Sequence, residues 1–172
     1  MNRRSALVLS TMALLFLGIG LPASNAVAQQ SIKEQLVGTW AFVSAVNTRS
    51  DGTKFDPYDG KGAGVLMFDS TGHFSRQTIR SDIPKLASNN RQKGTADEFE
   101  AVAKGILSYF GTYSLDDSGK TLTEHVELSS FPNQNGAERI WAITALTGDE
   151  LTMAAQVAAS GGSNELKFKR VK

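Results

Sequence analysis

From Ile32 to Val171 the hydrophobic and polar positions mostly repeat with a period of two, the spacing that puts alternate residues on opposite faces of a strand. Trp40, Phe42, Ser44 and Val46 alternate with Ala41, Val43 and Ala45, and the run stops at 47–53, which holds the turn pair Asp51-Gly52. Val65 to Phe68 and His73 to Ile79 flank Asp69-Ser70-Thr71-Gly72 and predict a hairpin. Tyr109 to Leu115 and Thr121 to Leu128 predict a second, across Asp116-Asp117-Ser118-Gly119. Arg139 to Leu146 and Leu151 to Val157 predict a third, and Glu165 to Val171 a last strand. No crossover helices separate these strands, so the pattern predicts a mainly β chain, an antiparallel barrel or sandwich rather than a parallel sheet.

One segment breaks the period. Thr95-Ala96-Asp97-Glu98 is a capping box, and Phe99, Val102, Ala103, Ile106 and Leu107 then share a helical face, predicting one amphipathic helix near 95–108. Before it, 81–94 is polar and patternless, a long flexible connection of the kind that often caps the mouth of a barrel. Ile32 to Leu36 predicts a short helical turn ahead of the first strand.

The N-terminus reads as an address. Arg3 and Arg4 precede an apolar run from Ala6 to Gly20, Leu21-Pro22 breaks any helix, and small residues follow, the pattern of a secretory signal peptide. Ala26-Val27-Ala28 before Gln29 is the preferred cleavage site, with Ser24-Asn25-Ala26 before Val27 the alternative. The apolar run is shorter than the roughly 20 residues a membrane span needs, which argues against an anchor. Asn2-Arg3-Arg4-Ser5 loosely resembles a twin-arginine signal, so the export route is open between the two systems. The expected organisation is a removed signal at 1–28 and one domain at 29–172, periplasmic or secreted, without stable membrane insertion once the signal is gone.

Composition then narrows the function classes. The chain has 18 Lys and Arg against 17 Asp and Glu in 172 residues, and both signal arginines leave with the signal, so the mature chain is slightly acidic. That balance gives no electrostatic footprint for nucleic acid, and 41% hydrophobic residues place the chain among ordinary globular proteins. Zero Cys excludes a disulfide framework, thiolate metal sites and a catalytic thiol. The glycines at 60, 62 and 64 lack the Lys and helix of a phosphate-binding loop, and no nucleophile elbow is present. His73 and His125 with a carboxylate such as Glu127 have no spacing that fixes a third ligand, so neither metal nor cofactor is expected.

Leu36-Val37-Gly38-Thr39-Trp40 followed by Ser44 resembles the Gly-x-Trp opening of lipocalins, in which the Trp plugs the closed end. Gly64 through Ser75, Tyr109-Phe110-Gly111-Thr112-Tyr113, and the run from His125-Val126-Glu127 through Phe131-Pro132-Asn133 to Gly136, Arg139 and Gly148-Asp149-Glu150-Leu151-Thr152 resemble, in order, the blocks of the bacterial and fungal lipocalin-like domain family. Asn135 departs from the pattern, standing near the place where many members carry a bulky aromatic, so this loop is expected to close differently. The resemblance implies an up-and-down lipocalin-like barrel of about eight to ten strands with an internal cavity. A small hydrophobic or amphipathic molecule is the expected partner, for a monomer or small homo-oligomer.

Two sets of residues follow. Leu166, Phe168 and Arg170 share parity, so an apolar interior draws Arg170 inward, where Trp40 offers a stacking face; the alternative is that Arg170 frays at the terminus. Thr123, His125 and Glu127 share one face of a strand, opposite Leu122, Glu124, Val126 and Leu128. If the first face lines the cavity, His125 and Glu127 join Arg139, Tyr113 and Trp141 in a polar ligand-binding patch, and an isomerase or cyclase could use His125 and Glu127 for proton transfer. If the aliphatic face lines it, both are solvated surface. Arg76 shares parity with Phe74 and Thr78 and could bind an anionic head group. His73 reads as a strand-end residue, and Trp141 with Phe42, Phe68, Phe74, Phe110 and Phe168 as core.

Overall fold

The computed structural model describes residues 31–157 and 162–172; the signal peptide expected at 1–28 lies outside them. The elements in order are α1 (Ile32–Leu36), β1 (Gly38–Thr48), β2 (Lys54–Phe55), β3 (Gly62–Phe68), β4 (His73–Arg80), α2 (Ala96–Gly105), β5 (Ile106–Leu115), β6 (Thr121–Ser129), a 3-10 turn (Pro132–Gln134), β7 (Glu138–Leu146), β8 (Glu150–Val157) and β9 (Gly162–Arg170). Each strand from β3 to β9 pairs antiparallel with the next, and β1 pairs with both β3 and β9. Eight strands therefore close a mainly β, up-and-down barrel, and β2 is a two-residue addition on β1. Among the described residues no helix is long and apolar enough to cross a membrane.

The alternation predicts the strands but misplaces the inner face of β1 beyond Phe42. The closing seam runs from Trp40↔Arg170 to Thr48↔Ser163 with a bulge between Phe42 and Ser44. One extra residue there inverts the parity, so Val43 points to solvent and Ala45, not Ser44 or Val46, is buried. Where strands cross most closely, side chains are excluded. A Cβ on Gly64 would lie 1.9 Å from the Gln77 carbonyl oxygen, and one on Gly111 2.0 Å from that of His125.

The structure ends the predicted helix early. Thr95 and Glu98 form the capping box, but α2 stops at Gly105, and Ile106 and Leu107 begin β5 by pairing with Ile79 and Thr78. Ladder hydrogen bonds to β4 supply what a further helical turn would have supplied from within. Gly105 is the buried residue of α2, with the Ile83 side chain so close that a Cβ would lie 2.6 Å from it. The connection before α2 is tied down: the Glu98 carboxylate accepts from Ala87 N–H at 2.7 Å as well as from Thr95 N–H at 2.7 Å. At the same end Arg80 bridges Asp59 and Asp82 at 2.7 and 2.9 Å.

The opposite end is plugged. Trp40 and Leu36 are fully buried, and the Trp40 indole donates to the Leu36 carbonyl at 2.8 Å, fixing α1 under the barrel. The Arg170 guanidinium lies 4.0 Å over the Trp40 ring and donates to the carbonyls of Gln35, Val37 and Gly148. It thus joins the segment before β1, the first strand and the β7–β8 turn. Arg170→Met, which keeps the apolar stem and removes the donors, is expected to lower unfolding free energy in urea by about 2 kcal/mol. A change within about 0.5 kcal/mol would show that the plug does not hold the seam.

Candidate functional site

The inner surface carries large apolar side chains, among them Leu66, Phe68, Phe74, Leu122, Val126, Leu151, Met153, Leu166 and Phe168. Set into that lining is a cluster of polar groups from four neighbouring strands. Glu124 on β6 is fully buried, between Leu122 and Val126 on the same face. Its Oε2 accepts from the Trp141 indole of β7 at 2.8 Å and from the Tyr109 hydroxyl of β5 at 3.4 Å. Tyr109 in turn accepts from Arg76 Nη1 of β4 at 3.1 Å, and Arg76 Nε reaches Thr78 Oγ1 at 3.4 Å. Arg139, paired in register with Glu124, brings its Nε to 3.9 Å from Oε2, and its guanidinium lies over the rings of Tyr109 and Trp141 at 5.2 and 5.1 Å.

Two atoms of this cluster are left over. Glu124 Oε1 and Arg139 Nε are buried and have no hydrogen-bond partner among the described residues. One is an acceptor and the other a donor, on directly paired residues of adjacent strands. Burial of such atoms without partners costs about 1–3 kcal/mol each, more where charge is involved. The Arg139 side chain is 22% exposed, so the cluster reaches toward solvent at the end where β7 begins.

Electrostatics follow from burial. Desolvation pushes the Glu124 carboxyl above the usual glutamate range, and the Trp141 donor and the arginines pull it only part of the way back. Tyr109 is likewise raised, first by burial. Burial alone would lower the Arg76 guanidinium, but Tyr109, Tyr58 and Glu124 around it turn the balance, so it stays charged. Two cations thus flank one carboxyl that resists ionising.

In β6, where either face could have lined the interior, the aliphatic face does so. His125 and Glu127 lie on the outer face: the His125 side chain is 55% exposed and sits 3.9 Å from Glu138, and Glu127 is exposed. The aliphatic face of β6 turned inward, because burying Leu122 and Val126 outweighs burying His125, and Glu124 went with them. Arg139 is therefore paired with Glu124 and not placed in a patch with His125 and Glu127, and no proton-transfer pair of His125 and Glu127 faces the interior. Tyr113 points inward, but its hydroxyl donates to the Asp69 carbonyl at 2.7 Å in the β3–β4 turn, at the plugged end. Arg76, Arg139 and Trp141 all reach the cluster around Tyr109 and Glu124. Phe110, read as core, is on the outer face and 46% exposed. His73 sits at the strand end, with its Nδ1 2.9 Å from Thr71 Oγ1.

Glu124 and Tyr109 are the members that the sequence argument missed. A signal was present: a lone carboxylate between two aliphatic residues of matching parity is rare enough on a core face to mark a site. Asn135, the departure noted above, accepts from Ser129 N–H at 2.8 Å and closes the β6–β7 loop through its own side chain.

Because the folded state holds the Glu124 proton more tightly than the unfolded chain, this group's contribution to stability is full below the ordinary glutamate value and is lost as pH rises through the folded-state value. Glu124→Gln, which cannot ionise, is expected to gain stability relative to the parent as pH rises above the ordinary glutamate range, read from urea midpoints across pH. Parallel stability curves would contradict the assignment.

The family match agrees with this architecture. The sequence profile of the family described as lipocalin-like domain matches residues 37–170, and no curated protein sequence matches the chain. Among solved structures it is similar to a lipocalin-like protein from Bacteroides uniformis, at 15% identity and a TM-score of 0.44, covering 80% of this chain and 99% of that one. It is also similar to bovine odorant binding protein in complex with a selenium-containing odorant, at 14% identity and a TM-score of 0.43, covering 84% of this chain and 75% of that one. A redesigned beta barrel matches at 12% identity with a TM-score of 0.44, covering 82% and 96%. With the profile spanning the barrel from the start of β1 to the end of β9, the chain belongs to the lipocalin-like domain family.

Proposed function

We propose that this protein is an exported binder that holds a small hydrophobic or amphipathic molecule inside its barrel. The observation that carries the reading is the incomplete polar cluster on an otherwise apolar inner wall. Apolar side chains supply affinity without direction, and a few convergent polar groups supply orientation. Glu124 Oε1 and Arg139 Nε are the groups still lacking partners, which is what a site completed by its ligand leaves open. The outward placement of His125 and Glu127 takes away the groups that a proton-transferring enzyme would have used, so binding is favoured over catalysis. Export rests on the charged start, apolar run and small-residue cleavage pattern of residues 1–28.

Native mass spectrometry of the full chain, expressed with its own N-terminus and recovered from the periplasm or medium, tests both parts. The expected protein mass begins at Gln29, and the expected spectrum contains an adduct that dissociates on activation as a small molecule. A retained N-terminus in the cytoplasm would overturn export. Absence of any adduct, together with no uptake of added apolar probes, would overturn binding.

A further inference from the structure

The charge count inside the barrel points to what the head group of that molecule is, an inference that rests on the binding reading above. The groups facing Glu124 are Arg76 and Thr78 from β4, Tyr109 from β5, and Arg139 and Trp141 from β7. Two are permanent cations, and the carboxyl they surround offsets at most one of them. A buried positive excess is costly unless something anionic compensates it. One of the cations, Arg139, is also poorly used by the protein. Arg139 has no hydrogen bond from Nε and touches Glu124 only at 3.9 Å, although a guanidinium is built for short, paired contacts to a carboxylate.

We propose that the ligand is a carboxylate-bearing amphiphile whose head group docks at the Glu124–Arg139 pair, accepting from Arg139 Nε and sharing one proton with Glu124 Oε1. The shared proton answers the objection that Glu124 would repel an anion. A carboxyl and a carboxylate joined by one proton carry a single negative charge, set against the two arginines. Oε1, an acceptor without a donor in the free protein, becomes the proton-bearing atom of that pair. Burial already disposes Glu124 to hold a proton, so the complex needs only one proton from solvent at neutral pH. The apolar tail then lies among the buried apolar side chains of the inner wall, such as Phe74, Leu166 and Phe168. The geometry disfavours an amine head group, which would add a third cation.

Isothermal titration of the mature protein with dodecanoate, dodecanol and dodecylamine distinguishes the possibilities. Dodecanoate is expected to bind at least about tenfold more tightly than dodecanol, the size of a charge-assisted hydrogen bond in a dry site, and dodecylamine more weakly than either. Arg139→Gln is expected to bring the acid and the alcohol within about twofold of each other, with a cooperative urea transition showing that the variant is folded. Glu124→Gln carries a permanent N–H donor, so it is expected to keep the preference for the acid but to lose the decline in dodecanoate affinity with rising pH that the parent shows. Equal binding of acid and alcohol by the parent, or an acid preference that survives Arg139→Gln, would overturn the head-group assignment while leaving the binding reading intact. Binding of none of the three would overturn both.

Discussion

The seam between β1 and β9 sets the inside of this molecule. Until those two strands pair, the chain is an open antiparallel meander with two unsatisfied edges, and neither face of it is committed to the core. Pairing Trp40 with Arg170 and Thr48 with Ser163 removes both edges, and the bulge after Phe42 decides which residues of β1 end up within. The plug then acts at the same place. One indole and one guanidinium tie α1, the first strand, the last strand and the β7–β8 turn into a single closed end, without a disulfide to help. Both ends of the described chain thus meet at the base of the barrel, while the opposite end is shaped by longer loops and α2.

Closure also creates the problem that gives the interior its chemistry. Once β6 turns its aliphatic face inward, Glu124 has no route to solvent and must find partners where it is. Trp141 and Tyr109 supply two hydrogen bonds to one oxygen, and the arginines supply charge, yet the other oxygen stays unpaired. A cluster that served only to stabilise the fold would be better replaced by apolar side chains of the same volume, since buried ion pairs seldom repay their desolvation. An incomplete cluster at that cost has a ready explanation if the missing partner arrives with a ligand. The aromatic faces of Tyr109 and Trp141 against Arg139 hold the guanidinium in place meanwhile.

Much of the architecture was legible in the sequence because a barrel strand repeats with a period of two and its turns announce themselves with Gly, Asp and Ser. The eight long strands and both helices stand where the pattern placed them, except that α2 ends at Gly105 and β5 begins at Ile106. Arg170 and Trp40, identified from parity and resemblance, lie stacked, one of the two alternatives left open for Arg170. What parity cannot supply is its own sign. In β6 both faces held plausible interior groups, and the choice between Leu122 with Val126 and His125 with Glu127 depended on packing against strands distant in sequence. In β1 a bulge, which leaves no mark in composition, inverted the alternation within the strand. The end of α2 was overrun for a related reason, since Ile106 and Leu107 fit the helical face as well as they fit a strand, and only pairing with β4 decides between them.

The central claim is that the interior around Glu124 and Arg139, and not the outer surface, receives the ligand. The two tryptophans make a direct test possible, because one indole N–H belongs to the plug and the other to the polar cluster. In a nitrogen-15 correlation spectrum of the protein titrated with dodecanoate, the Trp141 indole resonance is expected to move with saturating dependence while that of Trp40 stays fixed. Shifts confined to amides of the outer face, such as those of His125, Phe110 and Met67, with the Trp141 indole unmoved, would contradict it.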